Sequence, residues 1–306
     1  VSELFARRPR WKKLGLIVRP QADRWWWRSH AMTPTLMPLD GSKVRVYFSG
    51  RNDANQSHIG WGTVDLARPD KVIDTSVEPA LKPGALGCFD DNGVTPSSVV
   101  RSGDEVLLYY IGWNPGSTVR VHLFGGLAIS RDNGATFERW SRAPILERVP
   151  VNPFLNTAPF VIREGARWRM YYVAGTGWRH KDLPRYNIQI AESDDGKHWR
   201  RDGKVAVDFQ SDEENALARP FVLKEDGVYK MWFAHKGEAY RMGYAESADG
   251  LNWVRDDTFG AIEPTAGTFD GEMIEYFAVA AHEGRKIVFY NGNNYGQAGI
   301  GVAVED

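Results

Sequence analysis

Short apolar runs rich in β-branched and aromatic residues recur along the chain, each bounded by Gly, Asp or Asn. That pattern belongs to short antiparallel strands. No segment of twelve or more residues keeps a 3.6-residue apolar period, so helices are expected to be scarce and the fold all-β. Five aromatic strands stand out: VRVYFSG (Val44–Gly50), EVLLYYIGW (Glu105–Trp113), RWRMYYVAG (Arg167–Gly175), VYKMWFAHKG (Val228–Gly237) and KIVFYNGN (Lys286–Asn293). About ten residues before each lies a further strand, marked by Pro34, Pro96, Pro159 and Pro220 and, without proline, by EYFAVA from Glu275. A third strand follows each aromatic one, and three of these run into a turn and an aromatic: SRDNGATF from Ser130, SDDGKHW from Ser193 and SADGLNW from Ser247. Asp caps its own backbone in such a turn and Gly accepts positive φ.

The repeat decides the architecture. Ala128, Ala191, Ala245 and Ala303 hold equivalent places, 63, 54 and 58 residues apart, and 306 residues over five repeats leave about 61 each, enough for four strands. The expectation is a five-bladed β-propeller with four antiparallel strands per blade, forming a single domain over residues 1–306. Residues 1–25 are expected to supply the outer strand that closes the ring.

Composition narrows the partners. With 38 basic and 39 acidic side chains the net charge is −1, which gives no uniform field for nucleic acid or anionic lipid. No apolar stretch approaches the length of a membrane span, and the start lacks the apolar core of a signal peptide, so a cytoplasmic location is expected. Cys88 is the only cysteine, which removes disulfide frameworks and cysteine zinc sites. No phosphate loop, dinucleotide fingerprint, HExxH or nucleophile elbow is present, and neither cofactor nor metal is expected. The sequence leaves the oligomeric state open.

In a propeller the innermost strands line the axis and their entry loops converge at one mouth. Residues there and at the ends of the aromatic strands include His30, Arg51, His58, Trp113, Asn114, Asn156, Arg219, His235, Asn291 and Asn293. Carboxylates, amides, guanidinium and aromatic faces together suit a polyhydroxylated ligand, so these are the candidate substrate-binding residues and a carbohydrate is the expected partner.

The phrases SHAMTP (Ser29–Pro34), RVYFSGRNDANQSHIG (Arg45–Gly60), FDDNGV (Phe89–Val94), GLAISRDNGATF (Gly126–Phe137), ARPFV (Ala218–Val222), MGYAESADGLNW (Met242–Trp253), EMIEY (Glu272–Tyr276) and YNGNNYG (Tyr290–Gly296) carry a resemblance. The chain resembles the five-bladed propeller superfamily of glycoside hydrolases that includes arabinanases, β-xylosidases, invertases and β-mannoside phosphorylases. It is similar above all to bacterial glycosyl-hydrolase-like proteins. The SRDNGATF turn also resembles the Asp-box of sialidase-type propellers, a hairpin brace distant from the catalytic centre. The resemblance implies a glycosidase-like enzyme, yet the hydrolases commonly place Asp before the proline of an early inner strand. Here Thr33, Thr95, Ala158 and Arg219 precede those prolines.

Glycoside hydrolysis needs an acid and a second carboxylate from different blades. Asp91 and Glu275 are the expected catalytic pair, with Glu272 in reserve and Glu275 placed in the column that Arg219 occupies. The plainer reading pairs Glu275 with Arg219 and has Asp91 cap the turn at Asn92-Gly93. Arg219 could instead hold a substrate carboxylate, which points to an acidic sugar. Besides hydrolysis, phosphorolysis or glycosyl transfer needs only one protein acid. A glycan-binding propeller without chemistry is the third possibility.

Overall fold

The structure is a computed structural model that describes residues 4–306; the first three residues of the expected domain lie outside the described residues. It is built almost wholly of strands, and no helix among the described residues is long and apolar enough to cross a membrane.

Strand pairing runs in successive antiparallel groups. β1 (Trp11–Val18) pairs with β20 (Ile300–Glu305), which continues through β19 (Arg285–Asn291) to β18 (Glu275–His282), so the two ends of the chain share one sheet. The next group runs from β2 (Ser29–Pro38) through β3 (Lys43–Arg51) and β4 (Ser57–Asp65) to β5 (Val72–Thr75). β6 (Gly93–Ser102), β7 (Glu105–Pro115), β8 (Val121–Ser130) and β9 (Glu138–Arg139) repeat the order. So do β10 (Asn156–Glu164), β11 (Arg167–His180), β12 (Leu183–Ser193) and β13 (Val205–Val207). The fourth repeat holds β14 (Ala216–Glu225), β15 (Val228–Lys236), β16 (Tyr240–Ser247) and β17 (Val254–Arg255). Single parallel pairs, Ser57 with Gly93, Asn156 with Phe124 and Tyr186 with Ala216, join one group to the next.

Neighbouring groups pack face to face. Met37 and Tyr47 meet Leu108, Tyr110 and Ala128, while Phe160 and Tyr171 meet Met231, Phe233 and Ala245. The Asp-box turns add a latch across that contact. In each, the Ser130, Ser193 or Ser247 hydroxyl accepts the amide of the turn glycine. A tyrosine of the preceding group then donates to that glycine's carbonyl: Tyr47 to Gly134 at 2.6 Å, Tyr109 to Gly196 at 2.7 Å and Tyr171 to Gly250 at 2.8 Å. Of the Trp25–Trp27 run, Trp26 and Trp27 are core, and Trp25 is exposed.

Candidate functional site

The inner strands β2, β6, β10, β14 and β18 each carry a residue ahead of Pro34, Pro96, Pro159, Pro220 or Phe277, and in four of them that residue has positive φ: Thr33 at 54°, Ala158 at 48°, Arg219 at 53° and Tyr276 at 56°. For non-glycine residues this conformation stores about 1–3 kcal/mol each and persists only where the surroundings enforce it. At Thr33 the enforcing group is Asn291, whose Oδ1 accepts the Thr33 amide at 2.7 Å while its Nδ2 donates to Ala31 and Gly299 carbonyls. All of this column, Thr95 included, lines one central cavity of about 410 Å³, within the usual range for a small-molecule site.

The cavity wall is aromatic and basic. Tyr186, Tyr240, Tyr276 and Tyr295 come from four separate segments; the Tyr186 and Tyr240 hydroxyls lie 2.6 Å apart, and the Tyr240 ring meets those of Tyr276 and Tyr295 at 6.1 and 6.3 Å. Burial pushes Tyr186 up to about 12 and Tyr240 and Tyr276 well above the ordinary phenol value, so all three are neutral. Trp113 also lines the cavity and donates from Nε1 to Ser57 Oγ at 2.7 Å. The long β11–β12 hairpin brings Asp182, Leu183 and Pro184 to the wall, and its tip accepts the Arg120 amide at the Lys181 carbonyl. Arg51, Arg120, Arg219 and Lys236 line the same space, where Asp182 is the carboxylate that faces them.

Two charged residues lie deepest. Arg219 is 1% exposed; its Nη2 donates to the Pro34 carbonyl at 2.7 Å and to Thr35 Oγ1 at 2.6 Å, and its Nε and Nη1 have no partner. Arg219 also lines a second, largely apolar cavity of about 370 Å³ and so stands between the two. Glu275 is fully buried with neither carboxylate oxygen hydrogen-bonded. Burial drives its pKa well above the ordinary carboxylate value, against weaker pulls from the Tyr276 phenol and the Lys236 charge.

Of the residues expected from sequence, Arg51, Trp113 and Arg219 line the cavity. Glu275 precedes Tyr276 at the start of β18 and is not part of the lining. The fifth member of the Arg219 column is Tyr276, because the bulges between Ala218 and Phe221 and between Glu275 and Ala278 align Glu275 with Ala218 instead. No salt bridge joins Glu275 to Arg219. Asp91 is outside the cavity lining: its carboxylate accepts the Gly87 amide at 2.8 Å within its own turn. Its neighbour Asp90 is the buried one, accepting from Tyr110 OH at 2.9 Å and Arg139 Nε at 2.8 Å. Glu272 is exposed. Asn114 donates to the Cys88 carbonyl and Asn156 to the Glu147 and Asn152 carbonyls. Asn293 accepts the Glu272 and Met273 amides. These amides, like Asn291, shape loops and strands rather than the lining.

Burial, helped by the Arg51 charge, lowers the pKa of His30 to about 4, and its Nδ1 is 2.8 Å from Ser29 Oγ. His58 is 3% exposed and also lowered by burial. His235 lies between Glu214 and Asp257, 3.1 Å and 3.5 Å away, the one cluster with metal-like composition among the described residues. The Arg255 guanidinium bonds both carboxylates there, at 2.6 Å each, so a protein cation already balances them. Burial pushes Glu214 up, yet the hydrogen bonds from Arg255 and His235 win and hold it near 2.

No family model matches the chain. Uncharacterized protein Rv1502 of Mycobacterium tuberculosis (strain ATCC 25618 / H37Rv) is 42% identical over 296 residues, 96% of this chain and 98% of the relative. The protein belongs to the Rv1502 family. Among solved structures, a complex of BT0996 with RGII matches this Rv1502-family protein with a TM-score of 0.76 at 21% identity, over 98% of this chain and 92% of the other. A structure from the GH130 family of mannoside phosphorylases, described as containing glycoside hydrolases that target β-1,2 mannosidic linkages in Candida mannan, matches with a TM-score of 0.73 at 12% identity, over 99% and 95%. The Bombyx mori GH32 β-fructofuranosidase BmSUC1 gives 0.61 at 16% identity, over 94% of this chain and 63% of that one. These likenesses give the Rv1502-family protein the fold of the propeller glycoside hydrolases.

Proposed function

We propose that the protein is a carbohydrate-active enzyme on a five-bladed β-propeller, four antiparallel strands to a blade and one domain in all, that cleaves or transfers a glycosidic bond in the central cavity. Glu275 is the proton source, and the Tyr276 phenol, which lines the cavity, passes a proton to the leaving-group oxygen and takes one from Glu275. The observation that carries this reading is a fully buried carboxyl with two unpartnered oxygens, next in sequence to a tyrosine that lines the cavity. Desolvation favours its protonated form, which is what protonating a leaving-group oxygen requires. The second group is Asp182, the carboxylate on the cavity wall, in place of Asp91 and Glu272. Tyrosine and tryptophan faces supply the apolar surface on which sugar C–H groups stack. The likeness to propeller glycosidases supports the reading.

Mass-spectrometric product detection over a glycan panel, with and without phosphate, tests it. Wild type is expected to turn over a member of the panel, with a loss of about 10²-fold or more in Glu275→Gln. Turnover that persists in Glu275→Gln removes the acid, and phosphate-dependent turnover assigns phosphorolysis. Saturable sugar binding with no product anywhere turns the reading to a glycan-binding propeller.

A further inference from the structure

The lining of the central cavity carries more positive charge than a neutral sugar can use. Arg51, Arg120, Arg219 and Lys236 against Asp182 leave a formal +3, from four cations and one anion. At the floor the excess is unsatisfied. Two of the three Arg219 nitrogens have no partner, although the residue is 1% exposed, and Arg51 Nε is likewise buried and unpartnered while its Nη1 bonds Asn55 Oδ1 at 3.0 Å. Leaving a buried guanidinium without its counter-charge is costly, and proteins keep such groups paired or in use. Nothing on the protein supplies the pair: among the described residues no carboxylate forms a salt bridge with Arg219, and burial favours the neutral form of Glu275.

We propose that Arg219, with Arg51, seats a carboxylate carried by the sugar itself, so that the substrate is an acidic sugar such as a hexuronoside. This rests on the carbohydrate-active reading and names the substrate class of that same site. Burial lowers Arg219 only to about 9, so it is charged at neutral pH. A guanidinium recognises a carboxylate through directed, charge-assisted N–H···O bonds. A carboxylate offers two acceptor oxygens to the Arg219 and Arg51 guanidiniums. Free phosphate would bring between one and two charges into a desolvated seat. A carboxylate on the ring also enters and leaves with the sugar in one step, while Trp113 and the tyrosines take the ring faces.

The test is calorimetric binding of three matched pairs, glucuronate with glucose, galacturonate with galactose and mannuronate with mannose, and of inorganic phosphate, to wild type, Arg219→Lys and Arg51→Gln. At least one acidic member is expected to bind about tenfold tighter than its neutral counterpart, to weaken at high salt, and to lose about tenfold in either variant. Arg219 also ties β2 through Pro34 and Thr35, so a misfolded Arg219→Lys leaves the decision to Arg51→Gln, where the native guanidinium bonds only Asn55 in its own loop. No acid preference in any pair, acid binding indifferent to Arg51→Gln, or phosphate binding that outcompetes every uronate overturns the seat. The two readings fail separately. Turnover of neutral glycans that Arg51→Gln leaves unchanged sinks the seat and keeps the enzyme, whereas Arg-dependent uronate binding without any product keeps the seat and sinks the enzyme.

Discussion

Asp270 and Glu275 lie five residues apart, both at most 1% exposed, and their surroundings treat them in opposite ways. Asp270 sits where the two termini meet: Lys13 of β1 donates to it at 2.6 Å, Tyr290 at 2.9 Å, and Thr268 to its other oxygen. Burial raises its pKa, but these three donors prevail and hold it below the ordinary value. At Glu275 burial prevails over the weaker pulls of the Tyr276 phenol and the Lys236 charge, and its pKa is driven up. A buried acid held by donors keeps its charge and fastens the fold; one in which burial prevails favours its neutral form. The periphery therefore spends its polar groups on closure, as with Asp90 on Tyr110 and Arg139, while the centre leaves both Glu275 oxygens, Nε and Nη1 of Arg219, and Thr157 Oγ1 without a hydrogen-bond partner.

The largest expected effect separates the two acids by activity. Glu275→Gln is expected to lower turnover by about 10²-fold or more while leaving the protein at least as stable at pH 7. The sign follows from linkage. A carboxyl whose folded pKa is raised binds its proton more tightly in the folded state, so its unfavourable contribution grows as pH rises from the unfolded value of about 4.3 towards the folded one. The Tm of Glu275→Gln should thus exceed wild type at pH 8 and converge with it below about pH 4; a lower Tm at pH 8 would break the contrast. Next in size is Asp270→Asn. Removing one partner of a buried pair costs about 3 kcal/mol. Because the Asp270 pKa is depressed, its stabilisation is present above the unfolded carboxylate value and is lost as pH falls through the folded one. Urea midpoints should therefore show a large deficit at pH 7 that shrinks towards pH 3, with the fraction that stays folded retaining full turnover.

Strands were legible because β-branched and aromatic residues alternate between fixed turns, and the aromatic strands named from sequence match β3, β7, β15 and β19 to within two residues at either end, while β11 runs on past Gly175 to His180. The turn signatures were legible for the same local reason. Harder was the choice between adjacent acids: Asp90 and Asp91 stand in one turn, and the turn geometry sends one inward to Tyr110 and the other out to Gly87. The column of Glu275 was misread by one position, since that strand lacks the proline that marks the register elsewhere. Aligning Phe277 with Pro220 would have found Tyr276, because the positive-φ residue precedes each. Tyr186, Tyr240 and Tyr295 gave no local signal; they meet Tyr276 only because closure brings four distant segments together.

The smallest expected effect concerns the latches between groups. Tyr47, Tyr109 and Tyr171 each give one hydrogen bond to a turn glycine in the following group, and each hydroxyl is buried. Tyr109→Phe keeps the ring contact with Trp199 at 6.2 Å and removes that bond alone, which costs about 1 kcal/mol. The three sites lie in different groups, so the triple phenylalanine variant should lose about 3 kcal/mol in chemical denaturation, near the sum of the singles. Turnover should stay unchanged, because the latches support the periphery and touch nothing that lines the cavity. A triple variant that lost turnover while still folded would show that the latches set the spacing of the inner strands, and the division between fastening periphery and unpaired centre would not hold.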